Sequence, residues 1–417
     1  MEQIRYQTDP IKRHYVLMLL VVFIGYTVFG FSENIKGPAV PRMQADFGLD
    51  EMQLGLLLAL NSLGYLLACS FTGWMVGKWG LKLSTSLAFG SMALSGVFIY
   101  LSATFGTFAL SYFFMYIGNG ILEIALAILG ARVFTKNTGA MMNLSHFFYG
   151  LSSTVAPIAA AALMGVPLGG EEIGWRGMYL IMLSLSVLPM IPALAASFPA
   201  GDDVKAERIS IKQFMGDRVI WLIVLLLSFG VISELAVGGW LVNFLEKAYG
   251  WSSSASSYML SAFFLCFTLA RLVLGVWTDK IGYIKSIIVY SAFSGACTVA
   301  AIASGESGAV LFAAAGIGIA PVYPTVMAFL ARKYAGNSDM AITFTVTFMG
   351  VASIVGNFLV GAISDLFRTA MTAVYGPAAG IVKGLQAGYL FIGVCAWLCS
   401  LTGIVLYRRL KRDNALM

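Results

Sequence analysis

Three glutamates stand where a carboxylate is least welcome. Glu33 in FGFSEN (Phe29–Asn34), Glu123 in GNGILEIA (Gly118–Ala125) and Glu234 in FGVISEL (Phe229–Leu235) fall inside long apolar runs, away from the charged stretches that join them. A charged carboxylate at the centre of a bilayer costs about 2.5–3.5 kcal/mol on insertion scales, so it normally faces a wet cavity or a partner. Such a group can carry a proton. Ionised, it can also accept hydrogen bonds from the hydroxyls of a polar solute through its two oxygens.

Neighbours at helical spacing extend the polar surface. Tyr116, Asn119 and Glu123 fall at i, i+3 and i+7, and Asn143, His146, Gly150, Ser153 and Pro157 make a second stripe. Asn61 and Tyr65 lie one turn apart. These stripes suit a hydrated path lined by hydrogen-bonding groups; the same residue types also serve as plain interhelical glue in membranes. His146 could move a proton or touch a solute, because imidazole titrates near neutrality, or it could be a packed hydrogen bonder. Arg271, also inside an apolar run, could pair structurally near a cytoplasmic gate or contact the solute.

The elements that must position these groups are membrane helices. The chain has 417 residues, 59% hydrophobic and 11% charged, with mean hydropathy +0.85, whereas a soluble domain is about 25% charged. A run of roughly 20 apolar residues crosses the hydrocarbon core as a helix. Twelve such runs are expected, near 14–36, 52–76, 83–103, 106–134, 141–165, 176–198, 219–246, 254–278, 284–304, 308–331, 340–366 and 383–407. The polar N-terminus is followed by no A-x-A-like cleavage site, so the first run reads as a retained helix, with a removed signal peptide as the alternative. Lysines and arginines concentrate on one set of loops, among them Lys78, Lys82, Arg132, Lys280, Lys285, Arg332, Lys333 and Arg408. That bias places both termini on the cytoplasmic side of the cell membrane and calls for an even number of spans. The net charge of +6 then reflects topology, and nucleic acid is not an expected partner. The five cysteines all lie in apolar runs without metal-like spacing, so neither a metal nor another cofactor is expected.

The halves repeat. TGWMVGKWGLK (Thr72–Lys82) resembles LGVWTDKIGYIK (Leu274–Lys285), and the pairs Gly73/Gly275, Lys78/Lys280, Gly150/Gly350 and Glu33/Glu234 are offset by 200 to 202 residues. One offset shared by independent landmarks indicates duplication of a six-helix unit. The reading is an all-α membrane protein with a six-helix half at 1–198, a cytoplasmic linker at 199–217 and a second half at 218–417. Parallel repeats of this kind build transporters that bind solute between halves near the midplane.

The loop after the second span of each half resembles the signature G-x-x-x-D-[KR]-x-G of the major facilitator superfamily. The second copy is complete, with Gly275, Asp279, Lys280 and Gly282; the first has Gly77 where Asp is expected, between Gly73 and Lys78. Within that superfamily the chain is similar to the fucose permease type, the fucose–galactose–glucose:proton symporters. GNGILEIA resembles their G-x-G-x-L-E-x-A, and NLSHFFYG (Asn143–Gly150) their N-L-x-x-x-F stretch. SELAVGGWLVNFL, VYPT (Val322–Thr325) and GAISD (Gly361–Asp365) resemble further motifs in order. The family's Asn-Asp pair at the outer end of helix one is replaced by Lys36-Gly37, with Glu33 one turn earlier.

The resemblance implies the major facilitator fold and a permease that moves a sugar or similar small polar solute by alternating access with proton symport. It adds Trp240 and Tyr323 to Glu33, Glu123, Glu234, Asn119, His146, Asn143, Tyr116 and Asn61 as solute or proton contacts. Gly73, Lys78, Gly275, Asp279, Lys280 and Arg271 would form the gate. The expected partners are a small-molecule solute and the lipid bilayer, and the expected state is a monomer. A proton-coupled exporter of drugs or amphiphiles is the alternative, although VAPIAAAA (Val155–Ala162) keeps only the Pro of the exporters' Gly-Pro-x-x-Gly-Gly-like motif. A signalling protein of transporter shape would need a larger soluble domain, no Walker loop is present for ATP, and no catalytic constellation suggests an enzyme.

Overall fold

A computed structural model describes residues 10–134, 138–198, 215–334 and 338–413. Among them, twelve helical stretches are long and apolar enough to cross a membrane. In chain order the helices are α1 (Pro10–Asn34), α2 (Lys36–Phe47), α3 (Glu51–Trp79), α4 (Leu81–Leu101), α5 (Phe105–Val133), α6 (Thr138–Met164), α7 (Gly174–Ser184) and α8 (Val187–Ala195). The second half continues with α9 (Arg218–Tyr249), α10 (Ser253–Ile281), α11 (Tyr283–Ala303), α12 (Val310–Ile319), α13 (Val322–Lys333), α14 (Ser338–Tyr375) and α15 (Pro377–Arg412). The greater part of the expected linker lies outside the described residues.

The first span is longer than its apolar run. It continues past Lys36 through α2, which buries Gly37, Pro38, Ala39, Val40 and Met43 despite two prolines. Composition concealed this, because Lys36, Arg42 and the prolines dilute the signal. Helix ends follow local chemistry. Thr104 and Thr107 form a reciprocal capping box, and Ser252 caps α10. Gly80 (φ 82°) and Gly282 (φ 94°) occupy equivalent hinges of the two halves, in a region of backbone space that side chains disfavour. Asp217 caps α9 through Val219 N–H and accepts the Tyr334 hydroxyl at 2.6 Å. Burial pushes that phenol well above its ordinary range.

The chain packs as two compact units. The first comprises residues 1–33, 67–152 and 176–205. Its interior is built on α4 and α5, with Phe89, Phe108, Tyr112 and Tyr179 fully buried. The second comprises residues 34–66, 153–175 and 206–417, and it centres on Trp240, Phe244, Phe263 and Phe312. Phe244, Phe312 and Tyr389 form a ring cluster with centroids 4.8 to 5.5 Å apart.

Within the second unit, α2 and the first turns of α3 lie on second-half helices. Gly55 meets the backbone of Asn357 and Gly361, while Ser62 Oγ sits 3.3 Å from Ser353 Oγ and Leu66 reaches Gly350. Rising numbers on α3 meet falling numbers on α14, so the two run antiparallel with backbone against backbone. At the end of this unit remote from the C-terminus, Arg42 Nη1 donates to both Glu246 oxygens at 2.6 and 2.8 Å. Lys247 Nζ donates to Gln44 at 2.6 Å and Glu51 at 2.9 Å, and Asn243 donates to Glu51 at 3.2 Å. A two-stranded hairpin, Pro167–Leu168 with Glu171–Glu172, precedes Trp175, whose indole N–H donates to Asp46 at 3.1 Å.

Burial ranks these ion pairs. The Glu51 side chain is 7% exposed, whereas Arg42 and Glu246 are 34% and 16% exposed. Lys247→Met should destabilise the protein by about 3–5 kcal/mol, the cost of stranding a buried charge, and Arg42→Met by about 1 kcal/mol or less. Thermal unfolding of purified protein in detergent should give that order. In the same assay Gly361→Leu should lower stability by about 1–3 kcal/mol, because a side chain there must displace the α3 backbone.

Candidate functional site

In the first unit the end of α1 meets the middle of α5 through side-chain hydrogen bonds. Asn119 Nδ2 donates to Glu33 Oε1 at 2.8 Å, and the Ser32 hydroxyl lies 2.9 Å from Asn119 Oδ1. Asn119 and Ser32 are buried. Helical spacing places Tyr116 three residues before Asn119 and Glu123 four residues after it. Tyr116 is buried and within electrostatic reach of Glu33, while Glu123 is half-buried. Tyr116 stands edge-on to Tyr112 at 5.4 Å, and the Tyr179 hydroxyl donates to that of Tyr112 at 3.1 Å.

The α6 stripe approaches the same side of α1. The His146 ring lies 5.0 Å from the Tyr26 ring, and Tyr149 lies 5.3 Å from Phe29. Gly30 packs directly on Ser152. His146 is exposed, and the Asn143 side chain lies outside the described residues. Glu33, Asn119, Tyr116 and Glu123 are thus assembled around one α1–α5 contact. Sequence spacing linked the last three to each other, and nothing in it linked Glu33 to them. Ser32 and Tyr112 escaped notice, because a lone Ser beside Glu33 carries no pattern and Tyr112 reads as one aromatic among many.

In the second unit the corresponding acid has a cationic partner. Glu234 Oε1 lies 3.6 Å from Arg271 Nη2. Arg271 Nε donates to the Ala320 carbonyl at 3.0 Å, and its guanidinium covers the Phe267 ring at 4.2 Å. The tenth span explains this arrangement. It breaks between α12 and α13 at Ala320–Pro321, and Pro324 has no N–H to offer the carbonyl four residues earlier. That carbonyl belongs to Ala320, and Arg271 satisfies it. The charge of Arg271 is in turn balanced by Glu234. Arg271, expected near a gate, therefore ties together α9, α10 and the break in the tenth span.

Other candidates of the second unit are placed singly. Trp240 is 1% exposed and Asn61 3% exposed, and neither the indole N–H nor the Asn61 amide has a hydrogen-bond partner among the described residues. Leu58, one turn before Asn61, touches Gly239 beside Trp240. Tyr323 is half-buried at the start of α13. Of the loop residues, Lys78 lies over Trp74 at 4.9 Å and Lys280 over Trp277 at 5.6 Å. Gly73 and Gly275 have open space around Cα. The Asp279 side chain lies outside the described residues. No group of three or more His, Cys, Asp or Glu side chains able to hold a metal occurs among the described residues.

Comparison with known proteins places this architecture. An MFS-type transporter of Yersinia pestis is 24% identical over 369 residues, covering 87% of this chain and 93% of its own length. A bacterial homologue of the human lysosomal transporter Spinster, solved inward-facing and unoccupied, superposes with TM-score 0.81 at 14% identity, over 96% of this chain and 98% of that one. The fucose:proton symporter of E. coli, solved as a variant, superposes with TM-score 0.64 at 16% identity, over 94% and 99%. At such identities the two structures speak for the fold alone. The model of the Major Facilitator Superfamily matches residues 22–242 and again residues 233–415. Matched along nearly its whole length and carrying twelve helices able to span a membrane, the chain belongs to the major facilitator superfamily, a family of membrane transporters and not of enzymes.

Proposed function

We propose that this transporter is a proton-coupled permease for a sugar or a similar small polar solute, with both termini on the cytoplasmic side of the cell membrane. The observation that carries the reading is the Glu33–Asn119–Ser32 network with Tyr116 and Glu123 on adjoining turns of α5. It joins titratable carboxylates to hydrogen-bond donors and to aromatic faces, the groups that a polyol and a proton both require. The likeness to the fucose permease motifs at Gly118–Ala125 points the same way. The Asn61 amide and Trp240 indole N–H, without a partner among the described residues, add polar groups that a solute or water could satisfy. Glu234, balanced by Arg271, is the acid of the second half in this scheme, and no cofactor beyond the proton gradient is required.

Uptake of labelled sugars and of amphiphilic drugs into proteoliposomes, with and without a pH gradient, tests the reading. Gradient-driven uptake of a sugar supports it, and gradient-driven movement of drugs alone replaces it with export. Glu123→Gln keeps shape and loses titration. If Glu123 carries the proton, uphill accumulation should collapse in this variant while solute exchange at equal pH survives. If it holds the solute, both should fall, with binding weakened by about 1.5–3 kcal/mol. A variant that still concentrates solute normally would remove Glu123 from the mechanism.

A further inference from the structure

At the end of the second unit nearest the C-terminus, a cavity of about 130 Å³ opens between the start of α11 and the end of α15. One water needs about 10–15 Å³ by the same measure, so a larger polar group fits. Gly282, Tyr283 and Lys285 form one wall, and Phe329, Tyr407 and Leu410 the other. Gly282 precedes α11 without a side-chain cap, so the first backbone N–H groups of that helix remain available.

Two cations rest on the aromatic rims of this cavity. Lys285 Nζ lies 5.6 Å from the Tyr407 ring centre, and the Arg332 guanidinium lies 5.7 Å from that of Tyr283. Arg332 Nη1 also donates to the Tyr283 hydroxyl at 3.5 Å. Neither cation has a carboxylate partner among the described residues. The duplicated loop of the first half differs. There Lys82 Nζ donates to the Leu194 and Ala196 carbonyls at 2.6 and 2.9 Å, because α8 ends beside it. In the second half α15 runs on to Arg412, so it offers no such carbonyls to Lys285.

The flanks of the cavity identify the ligand's other end. Val289 and Phe293 follow Lys285 at four-residue spacing on α11 and are 56% and 46% exposed. An exposed apolar track on α11 that leads to a cavity lined by Lys285, with Arg332 against its Tyr283 rim, matches a molecule with a phosphate head and a hydrocarbon tail. A free phosphate would use the cations and leave the α11 track idle. We propose that this cavity binds the headgroup of an anionic phospholipid from the leaflet on the side of the C-terminus, with Lys285 and Arg332 on the phosphate and the acyl chains along α11. Basic pockets between membrane helices serve this purpose on physical grounds.

The test uses the purified full-length protein, with bound lipid counted by native mass spectrometry during titration. The probes are phosphatidylglycerol, zwitterionic phosphatidylcholine and inorganic phosphate, the last read by thermal unfolding. Phosphatidylglycerol should be retained in preference to phosphatidylcholine. Lys285→Gln and Arg332→Gln should each weaken its binding about fivefold, the effect of removing one cation near an anionic lipid. Lys411→Gln, a change to an exposed cation outside the cavity, should leave it unaltered, and unchanged melting temperatures of the variants would show that folding is intact. The assignment is overturned if phosphatidylcholine binds equally well, if both cavity variants bind phosphatidylglycerol as before, or if inorganic phosphate stabilises the protein as much as the lipid does.

Discussion

Inside a bilayer no water is at hand to satisfy a backbone carbonyl or a carboxylate, and each polar group must find its partner within the protein. The bond from Arg271 to the Ala320 carbonyl shows how far that constraint reaches here. Pro324 silences the donor that Ala320 would have used; a guanidinium from α10 replaces it, and the guanidinium then needs Glu234. A break in one helix thus calls for a cation, and the cation calls for an anion. In the first unit Glu33 accepts from Asn119, and Asn119 in turn accepts from Ser32. The two acids occupy equivalent places in the duplicated sequence, Glu33 beside an amide–hydroxyl network and Glu234 beside a guanidinium.

The constraint relaxes towards the helix ends, and the charges there behave differently. Glu51 is held by Lys247 and Asn243, while Arg42 and Glu246 stay partly exposed. Pairs of the second kind are screened by salt, and only the buried carboxylate is held strongly. At the opposite end of the second unit the cations Lys280, Lys285 and Arg332 rest on aromatic rings.

Much of this organisation could be read from the residues. Twelve apolar runs gave twelve spans, because hydrocarbon thickness fixes helix length and few other sequences satisfy it. The duplication was legible through Gly and Lys landmarks that keep their spacing. The continuation through α2 was hidden, since Lys36, Arg42 and two prolines resemble a loop until α9 and α10 are there to bury the intervening Gly37–Val40. The Glu33–Asn119 bond was equally hidden: residues 86 apart in sequence carry no local signal of contact. Glu51 lay just outside its expected span and so escaped the search for intramembrane acids. Arg271 was noticed for its charge, but its partner followed from a missing N–H at Pro324, a feature visible only once the tenth span was seen to break.

The approach of α3 to α14 is made by atoms that every residue possesses. At Gly55 and Gly361 backbone faces backbone, and the nearby Ser62 and Ser353 hydroxyls can rotate to find new acceptors. Side chains that interdigitate must surrender rotamer freedom when they engage and re-sort when they part. Glycine surrenders none, and serine little. Forming the contact at these positions therefore costs little side-chain entropy, and the register of the two helices there is held by backbone shape and not by interlocking side chains.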